Sequence, residues 1–176
     1  MKRIVLIIGI LLLALSAHAQ ESEKETTFED NRHKIEQFKE KYRNTDNVTT
    51  IEIGSTMTNM MAVKLFEAGN DESAQLMRSI ESIDIVAENA PGKSHIKTEM
   101  FALPDKCEEY TLITSIEKDG ELTKFYFCSH PHSENREFLM LTRSYSQRVV
   151  LYITGSFSVS DISALSTLSK GIKQDE

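Results

Sequence analysis

Residues 136–170 (REFLMLTRSYSQRVVLYITGSFSVSDISALSTLSK) constrain the fold more than any other stretch of this sequence. Two apolar segments, 138–143 and 149–153, are joined by the polar residues 144–147, a pattern typical of a β-hairpin. This is the densest apolar region downstream of the N-terminal leader. We therefore expect these two strands to nucleate a β-sheet.

The residues that follow this hairpin change from a strand period to a helix period. Gly155 allows the backbone to turn out of the sheet, because glycine adopts conformations that other residues avoid. Ser158 and Asp161 have the spacing of a capping box, with Asp in place of the usual Glu. A final helix is predicted here, and its buried side would comprise Ile162, Leu165 and Leu168.

Alternation of apolar and polar residues, the pattern of a β-strand, is also found upstream of the central hairpin. Residues 109–116 alternate in polarity, and residues 122–128 form the predicted return strand. Asp119-Gly120 between them is a typical hairpin turn, because Gly accepts the positive φ that such turns require. Two shorter β-branched segments, 48–53 and 83–87, predict one or two earlier strands.

Helical spacing of apolar residues occurs in four regions before the meander, beginning near residues 28, 55, 71 and 95. The second region carries Met57, Met60 and Met61 on one predicted face, together with Leu65 and Ala68. Flexible core packing is the favoured interpretation of these methionines, and soft-metal binding is the alternative. Consecutive C-terminal strands with the helices grouped elsewhere predict an α+β fold, an antiparallel meander sheet with helices packed on one face.

The first nineteen residues have the pattern of a signal peptide. Lys2 and Arg3 precede an apolar run over residues 4–15, and a small-x-small pattern ends at Ala19. The run is shorter than the roughly 18 to 20 residues that a membrane-spanning helix requires. We expect cleavage between Ala19 and Gln20, and export to the periplasm or beyond the cell.

Removing the nineteen residues from 176 leaves 157, which suits one domain with a hydrophobic core. We expect residues 20–27 to be a disordered acidic leader and residues 28–172 to form a single α+β domain. Loss of Lys2 and Arg3 lowers the net charge from −7 to −9. This negative net charge argues against binding of nucleic acid or of anionic lipid. No second apolar stretch is long enough to span a membrane.

Cys107 and Cys128 are the only two cysteines. An exported protein can hold a disulfide, so a Cys107–Cys128 bond is one prediction. A thiol nucleophile or metal ligand is a second interpretation, and two unreacted thiols are a third. No CxxC spacing is present, which argues against a thioredoxin-like redox role.

Cys128, His130 and His132 lie at positions i, i+2 and i+4 and could share one face of a strand. Their side chains are suitable ligands for zinc or copper, so this segment is the candidate metal site. Pro131 interrupts the strand pattern, and an exposed polar loop with incidental histidines is the alternative.

No catalytic signature and no cofactor-binding motif is recognisable elsewhere in the sequence. We therefore expect a non-enzymatic protein-binding or regulatory module of the cell envelope, with another envelope protein as its partner. An edge strand at residues 48–53 or 122–128 could accept a strand from that partner. The alternative function is metal binding through Cys128, His130 and His132.

The order of these elements resembles a family of small exported Bacteroidota proteins catalogued as a domain of unknown function, DUF4252. The segments that carry the resemblance are 38–54 (FKEKYRNTDNVTTIEIG), 57–61 (MTNMM), 82–86 (SIDIV), Glu109-Tyr110, Asp119-Gly120, 137–141 (EFLML) and 149–162 (VVLYITGSFSVSDI). The resemblance implies an envelope location and no established activity, and it supplies no catalytic residues. The two cysteines are not part of that pattern, so a disulfide would be particular to this protein.

Overall fold

The computed structural model describes residues 28, 30–89, 96–107, 109–129 and 134–162. The predicted signal peptide, its cleavage point between Ala19 and Gln20, and the acidic leader lie outside these residues. Among the helices that are described, none combines the length and the hydropathy that a membrane span needs.

Helices and strands alternate in the first half of the chain, and strands follow one another in the second half. The elements are α1 (30–42), β1 (Val48–Gly54), α2 (Ser55–Glu67), α3 (Asp71–Ser79), β2 (Ile80–Asn89), α4 (Ile96–Phe101), α5 (Leu103–Lys106), β3 (Thr111–Lys118), β4 (Glu121–Ser129), β5 (Arg136–Arg143), β6 (Gln147–Gly155) and α6, which starts at residue 159. All strands belong to one antiparallel sheet with the order β1-β2-β6-β5-β4-β3. The predicted α+β fold with a C-terminal meander is confirmed.

The strands predicted to nucleate the sheet, β5 and β6, are its two central strands. A tight turn joins them, in which the backbone N–H of Ser144 donates to the carbonyl of Gln147 over 2.8 Å. The β3–β4 hairpin turns at Asp119 and Gly120, whose φ angles are 52° and 80°. Two successive positive φ values are the signature of the type I′ turn that the Asp-Gly pair predicts.

One face of the sheet is covered by α1, α4 and α5. Their apolar side chains pack against alternate residues of the central strands, and the main buried members are Ile35, Phe38, Tyr42, Ile96, Met100, Leu103, Val86, Leu139, Leu141, Val150 and Tyr152. We call this side the covered face. The helical spacing predicted for α1 is thereby confirmed. The helix predicted from residue 95 is divided into α4 and α5, because Pro104 at the start of α5 begins a new helical turn.

On the opposite face, the helical residues that the structure describes cover one end of the sheet. Leu76 of α3, together with Phe157 and Ile162 after β6, packs on Phe138 and Ile153. The prediction placed the helices on one face, and the structure differs in this detail. The physical reason is that the sheet is apolar on both faces, so each needs some cover.

Beyond that covered end, a row of aligned apolar side chains crosses the sheet on this second side. Cross-strand pairing places Ile51 beside Ile85, then Leu151, Met140 and Phe125 in succession. Ile51 is 43% exposed and the other four are half-buried. We call the surface formed by these five residues the open face.

Candidate binding surface and a buried carboxylate

β3 forms one edge of the sheet and pairs with β4 alone among the strands described. All of its eight residues are exposed. Three of them are large and apolar: Leu112 is 47% exposed, Ile113 42% and Ile116 53%. An edge strand presents backbone N–H and C=O groups that have no ladder partner on the outer side. β3 therefore combines a hydrogen-bonding edge that no described strand fills with apolar side chains in contact with water.

Sequence reasoning named residues 48–53 and 122–128 as candidate edge strands. The first is confirmed, because β1 is the other edge of the sheet. The second is wrong, because β4 lies between β3 and β5 and pairs along its length with both. The predicted hairpin of residues 109–116 with 122–128 is present, and it places β4 between β3 and β5, so the exposed edge falls to β3.

A groove of about 450 Å³ opens at the end of β3, between the β3–β4 turn and the β5–β6 turn. Ile116 and Thr123 line one side, and Tyr145 lines the other. The side chain of Tyr145 is 99% exposed. Lys118 and Glu121 at the rim place one charge of each sign beside these residues. The groove is thus an open surface depression that begins at the end of the exposed strand.

The methionines of α2 are surface residues, and the predicted core packing of Met57, Met60 and Met61 is wrong. Their exposures are 50%, 60% and 39%. The buried side of α2 is instead formed by Thr58 and Ala62. The Thr58 hydroxyl donates to the carbonyl of Ile80 over 3.0 Å, so this side of α2 faces β2.

A buried carboxylate, Glu137 of β5, organises polar contacts on the covered face and is 0% exposed. Its Oε2 accepts hydrogen bonds from the hydroxyls of Tyr110 at 2.5 Å and Tyr152 at 3.0 Å. The side-chain amide of Asn31 donates to its Oε1 at 3.4 Å. These bonds join α1, the segment before β3, and strands β5 and β6. Because Glu137 is fully shielded from water, we interpret it as a structural anchor.

Burial and the charge of Glu137 act on the titratable groups around it. Burial, with a smaller contribution from Glu137, raises the pKa of Cys107 to about 11 and that of Cys128 to about 12. The same two causes raise the pKa of Tyr110 and of Tyr152 above the usual tyrosine value. Both thiols are therefore protonated at neutral pH, and a protonated thiol is a weak nucleophile and a weak metal ligand.

The structure places only one member of the predicted metal site. Cys128 lies near the end of β4, is 0% exposed, and pairs in register with Glu137. His130 and His132 lie outside the described residues. Within the part of the chain that is described, no three His, Cys, Asp or Glu side chains converge in a metal-binding group. The metal site stays a prediction.

Cys107 and Cys128 are both buried thiols in the structure, with exposures of 8% and 0%. They lie close enough that Cys107 contributes to the raised pKa of Cys128. A disulfide between them also stays a prediction.

Sequence reasoning missed Glu137, although a signal was present. On a strand, alternate residues share a face. Glu137 has the same parity as Leu139 and Leu141, both 0% exposed. A carboxylate in the buried register of an apolar strand needs hydrogen-bond donors, and Tyr110 and Tyr152 supply them.

The comparison with known proteins gives one result. No curated protein and no solved structure matches the chain. Residues 42–165, well over half of the sequence, match the profile of a family described as a domain of unknown function. The matched region runs from the end of α1 into α6 and includes every strand of the sheet. The chain therefore belongs to the DUF4252 family.

Proposed function

We propose that this protein is an exported, non-enzymatic binding module of the cell envelope that takes up an extended segment of a partner protein along β3. Export is supported by the N-terminal sequence, in which a positive pair precedes an apolar run and a small-x-small site. The observation that carries the binding proposal is the exposure of all eight residues of the edge strand.

Edge strands in most proteins are protected from pairing with other chains by charges, prolines, bulges or short length. β3 is protected only in part, by a register shift at Ile113 and by Glu117 and Lys118 near its end. The middle of the strand keeps the exposed apolar residues Ile113 and Ile116. In strand addition, backbone hydrogen bonds supply affinity and pockets for alternate side chains supply specificity.

The groove beside Tyr145 supports the same proposal, because it continues from the exposed strand. Ile116 belongs both to β3 and to the wall of the groove. A partner strand added along β3 would therefore run past Ile116, at the border of the groove. We expect an apolar residue at that position of the partner.

The test compares two exposed isoleucines at opposite edges of the sheet. Ile116 on β3 is 53% exposed, and Ile51 on β1 is 43% exposed. The chain lacking residues 1–19 is immobilised through its N-terminus and used to capture proteins from an envelope extract. We expect Ile116→Lys to lower the recovery of the captured partner at least tenfold, because the added charge would have to be buried in the interface.

Ile51→Lys is the matched control, since it adds the same charge at the other edge, and it should leave recovery unchanged. Circular dichroism of both variants is measured alongside, to check that each is folded. Equal losses for the two variants, or undiminished capture by Ile116→Lys, would count against binding at β3.

A further inference from the structure

The outer side of α2 is apolar. Of the large apolar side chains that are exposed in the described residues, five lie on this helix, with exposures of 50% for Met57, 60% for Met60, 39% for Met61, 48% for Val63 and 58% for Phe66. Four of the five recur at a spacing of three residues, so they form a continuous row along the helix. We call the surface formed by these five residues the α2 ridge.

α2 is held to the rest of the protein by its inner side, which is small. On that side Thr58 and Ala62 are buried and Leu65 is half-buried. The helix contacts α3 and the strands β1 and β2, and these contacts leave the α2 ridge exposed. A helix whose apolar residues extend around to its outer side is normally covered by another element.

The charges of α2 cancel, although the protein as a whole is acidic. The two charged residues of the helix, Lys64 and Glu67, pair with each other, with Lys64 Nζ 2.8 Å from Glu67 Oε2. The full chain has a net charge of −7. Two copies can therefore meet through α2 without bringing a surplus of negative charge into the contact.

The size of the α2 ridge suits a weak dimer. Five large side chains that are each about half exposed present on the order of 500 Å² of apolar surface, within the range in which the largest patch of a monomer is often functional. A contact between two such ridges would bury about 1,000 Å², the lower limit for a specific interface. Methionine suits a surface that packs on a copy of itself, because its unbranched side chain adapts to irregular gaps.

An antiparallel pair of α2 helices about a two-fold axis is also complementary in charge. With the axis between Met60 and Met61, each of these residues faces the other in the second copy. Met57 then faces the aliphatic stem of Lys64. Glu67, at the end of the helix, comes to the start of α2 in the second copy. That start has no acidic residue in its first turn and no side-chain cap, so the helix dipole favours a carboxylate there.

We propose that two copies of this protein associate through their α2 ridges, in an antiparallel two-fold contact centred between Met60 and Met61. This association goes beyond the proposed function, because it uses α2, whereas the partner segment is bound along β3. Its consequence is a bivalent module. Two β3 edges held in one dimer would bind a repeated or surface-bound partner more tightly than one edge alone.

The first measurement is the oligomeric state of the unsubstituted protein, purified from cells that express the full chain. Sedimentation velocity between about 1 and 100 µM should show a monomer–dimer equilibrium with a dissociation constant on the order of 10 µM, as expected for an interface at the low end of the size range. A protein that stays monomeric at the highest concentration would overturn the proposal.

Substitution on the α2 ridge locates the contact. Met60→Asp should raise the dissociation constant of the dimer by about a hundredfold or more, because the two-fold axis places the two added charges close together in the interface. Ile116→Asp is the matched control, since Ile116 is 53% exposed on β3 and the same added charge there should leave the dimer intact. Circular dichroism of both variants is recorded to check folding. A dimer that survives Met60→Asp, or that is lost equally in both variants, would overturn the proposal.

Disulfide trapping is a second readout that introduces no charge. Met60→Cys should form a covalent dimer on oxidation by copper phenanthroline, because residue 60 lies beside the two-fold axis, and Ile116→Cys should not. Cys107 and Cys128 are buried, so the introduced thiol is the accessible one in each variant. Equal yields of covalent dimer from the two variants would overturn the proposal.

A lipid surface is the competing occupant of the α2 ridge, because an exposed apolar helix can also lie in a membrane interface. Flotation of the same protein with phosphatidylcholine vesicles separates the two. We expect the protein to remain with the soluble fraction. A monomer that floats with the vesicles and is released by Met60→Asp would assign the ridge to a membrane surface and overturn the proposal.

Discussion

Lys39 on α1 and Asp84 on β2 form a buried ion pair in which Lys39 Nζ lies 2.8 Å from Asp84 Oδ1. Lys39 is 2% exposed and Asp84 is 9% exposed. Burial lowers the pKa of Lys39, but the hydrogen bonds and charges of Asp84 and Glu36 outweigh it and raise the pKa overall. The pair therefore joins α1 to the sheet by a charged contact that water screens weakly.

The variant Lys39→Met should lower the free energy of unfolding by about 3 kcal/mol, because Asp84 would remain buried without its cation. Adding Asp84→Leu should recover most of that loss, since no buried charge would remain. Lys41→Met, which removes a more exposed ion pair with Glu99, is the control and should cost less than about 1 kcal/mol. Urea denaturation at pH 7 measures the free energy of unfolding of all three variants. A loss in the double variant as large as the sum of the two single losses would contradict coupling of Lys39 with Asp84.

The hydrogen bond from Tyr152 to Glu137 predicts a second stability effect. Tyr152→Phe should cost about 2 kcal/mol, because the carboxylate would lose a donor at a buried site. Combined with Glu137→Gln, the two changes should be non-additive by about 1 kcal/mol. Tyr145→Phe alters a 99% exposed side chain and should change the free energy of unfolding by less than about 0.5 kcal/mol. A Tyr152→Phe variant as stable as this control would refute the role assigned to Glu137.

Stability should fall in alkaline solution. Burial raises the pKa of Tyr42 to about 12, of Cys107 to about 11 and of Cys128 to about 12 in the folded protein. In the unfolded chain the pKa of tyrosine is about 10 and that of cysteine is about 8.5. Above these pH values the folded state therefore binds more protons than the unfolded state. The resulting stabilisation is complete below the unfolded pKa values and is lost as pH rises through the folded ones.

Urea midpoints measured between pH 7 and pH 12 should therefore be level at first and then decline from about pH 9. Cys107→Ala with Cys128→Ala should make the decline shallower, because two of the responsible groups are gone. A midpoint that stays constant or rises above pH 9 would show that these groups are not protected by folding.

We expect a methyl group added at Gly155 to lower the stability of the fold strongly. Its φ is 153°, and a Cβ at this position would lie 2.1 Å from the carbonyl oxygen of Ser79, which accepts a hydrogen bond from the N–H of Ser156. Gly155→Ala should cost about 3 kcal/mol or more, through steric overlap and loss of that bond. Gly120→Ala meets nothing within 4 Å and bears only the strain of its φ of 80°, about 1 kcal/mol. Equal melting temperatures of the two variants would contradict this account.

Much of the fold is predictable because its signals are local. The Asp119-Gly120 turn, the alternation along β5 and β6, and the Ser158–Asp161 cap each depend on residues close in sequence. The position of β2 between β1 and β6 is a long-range result, since it depends on pairing across about seventy residues. The helical cover on the second face, supplied by Leu76 and Phe157, is long-range in the same sense.

The candidate site was harder to predict for a related reason. Met57, Met60 and Met61 are exposed because α2 turns Thr58 and Ala62 toward the sheet, and the helical period of α2 alone does not reveal which side packs. The identity of the edge strand depends on where the meander stops, and alternation looks the same in an edge strand and in an inner one. The strand β3 is predicted correctly, but the edge position predicted for residues 122–128 is wrong, because β4 pairs on both sides.

The most direct test of partner binding at β3 is site-specific photocrosslinking in cells that express the full chain. A photoreactive amino acid replaces Ile116 in one strain and Ile51 in another, and covalent adducts are counted after irradiation. The account predicts a reproducible adduct with one protein at position 116, mapped to an extended segment of that protein, and none at position 51. No adduct at position 116, or adducts of equal yield at both positions, would contradict it.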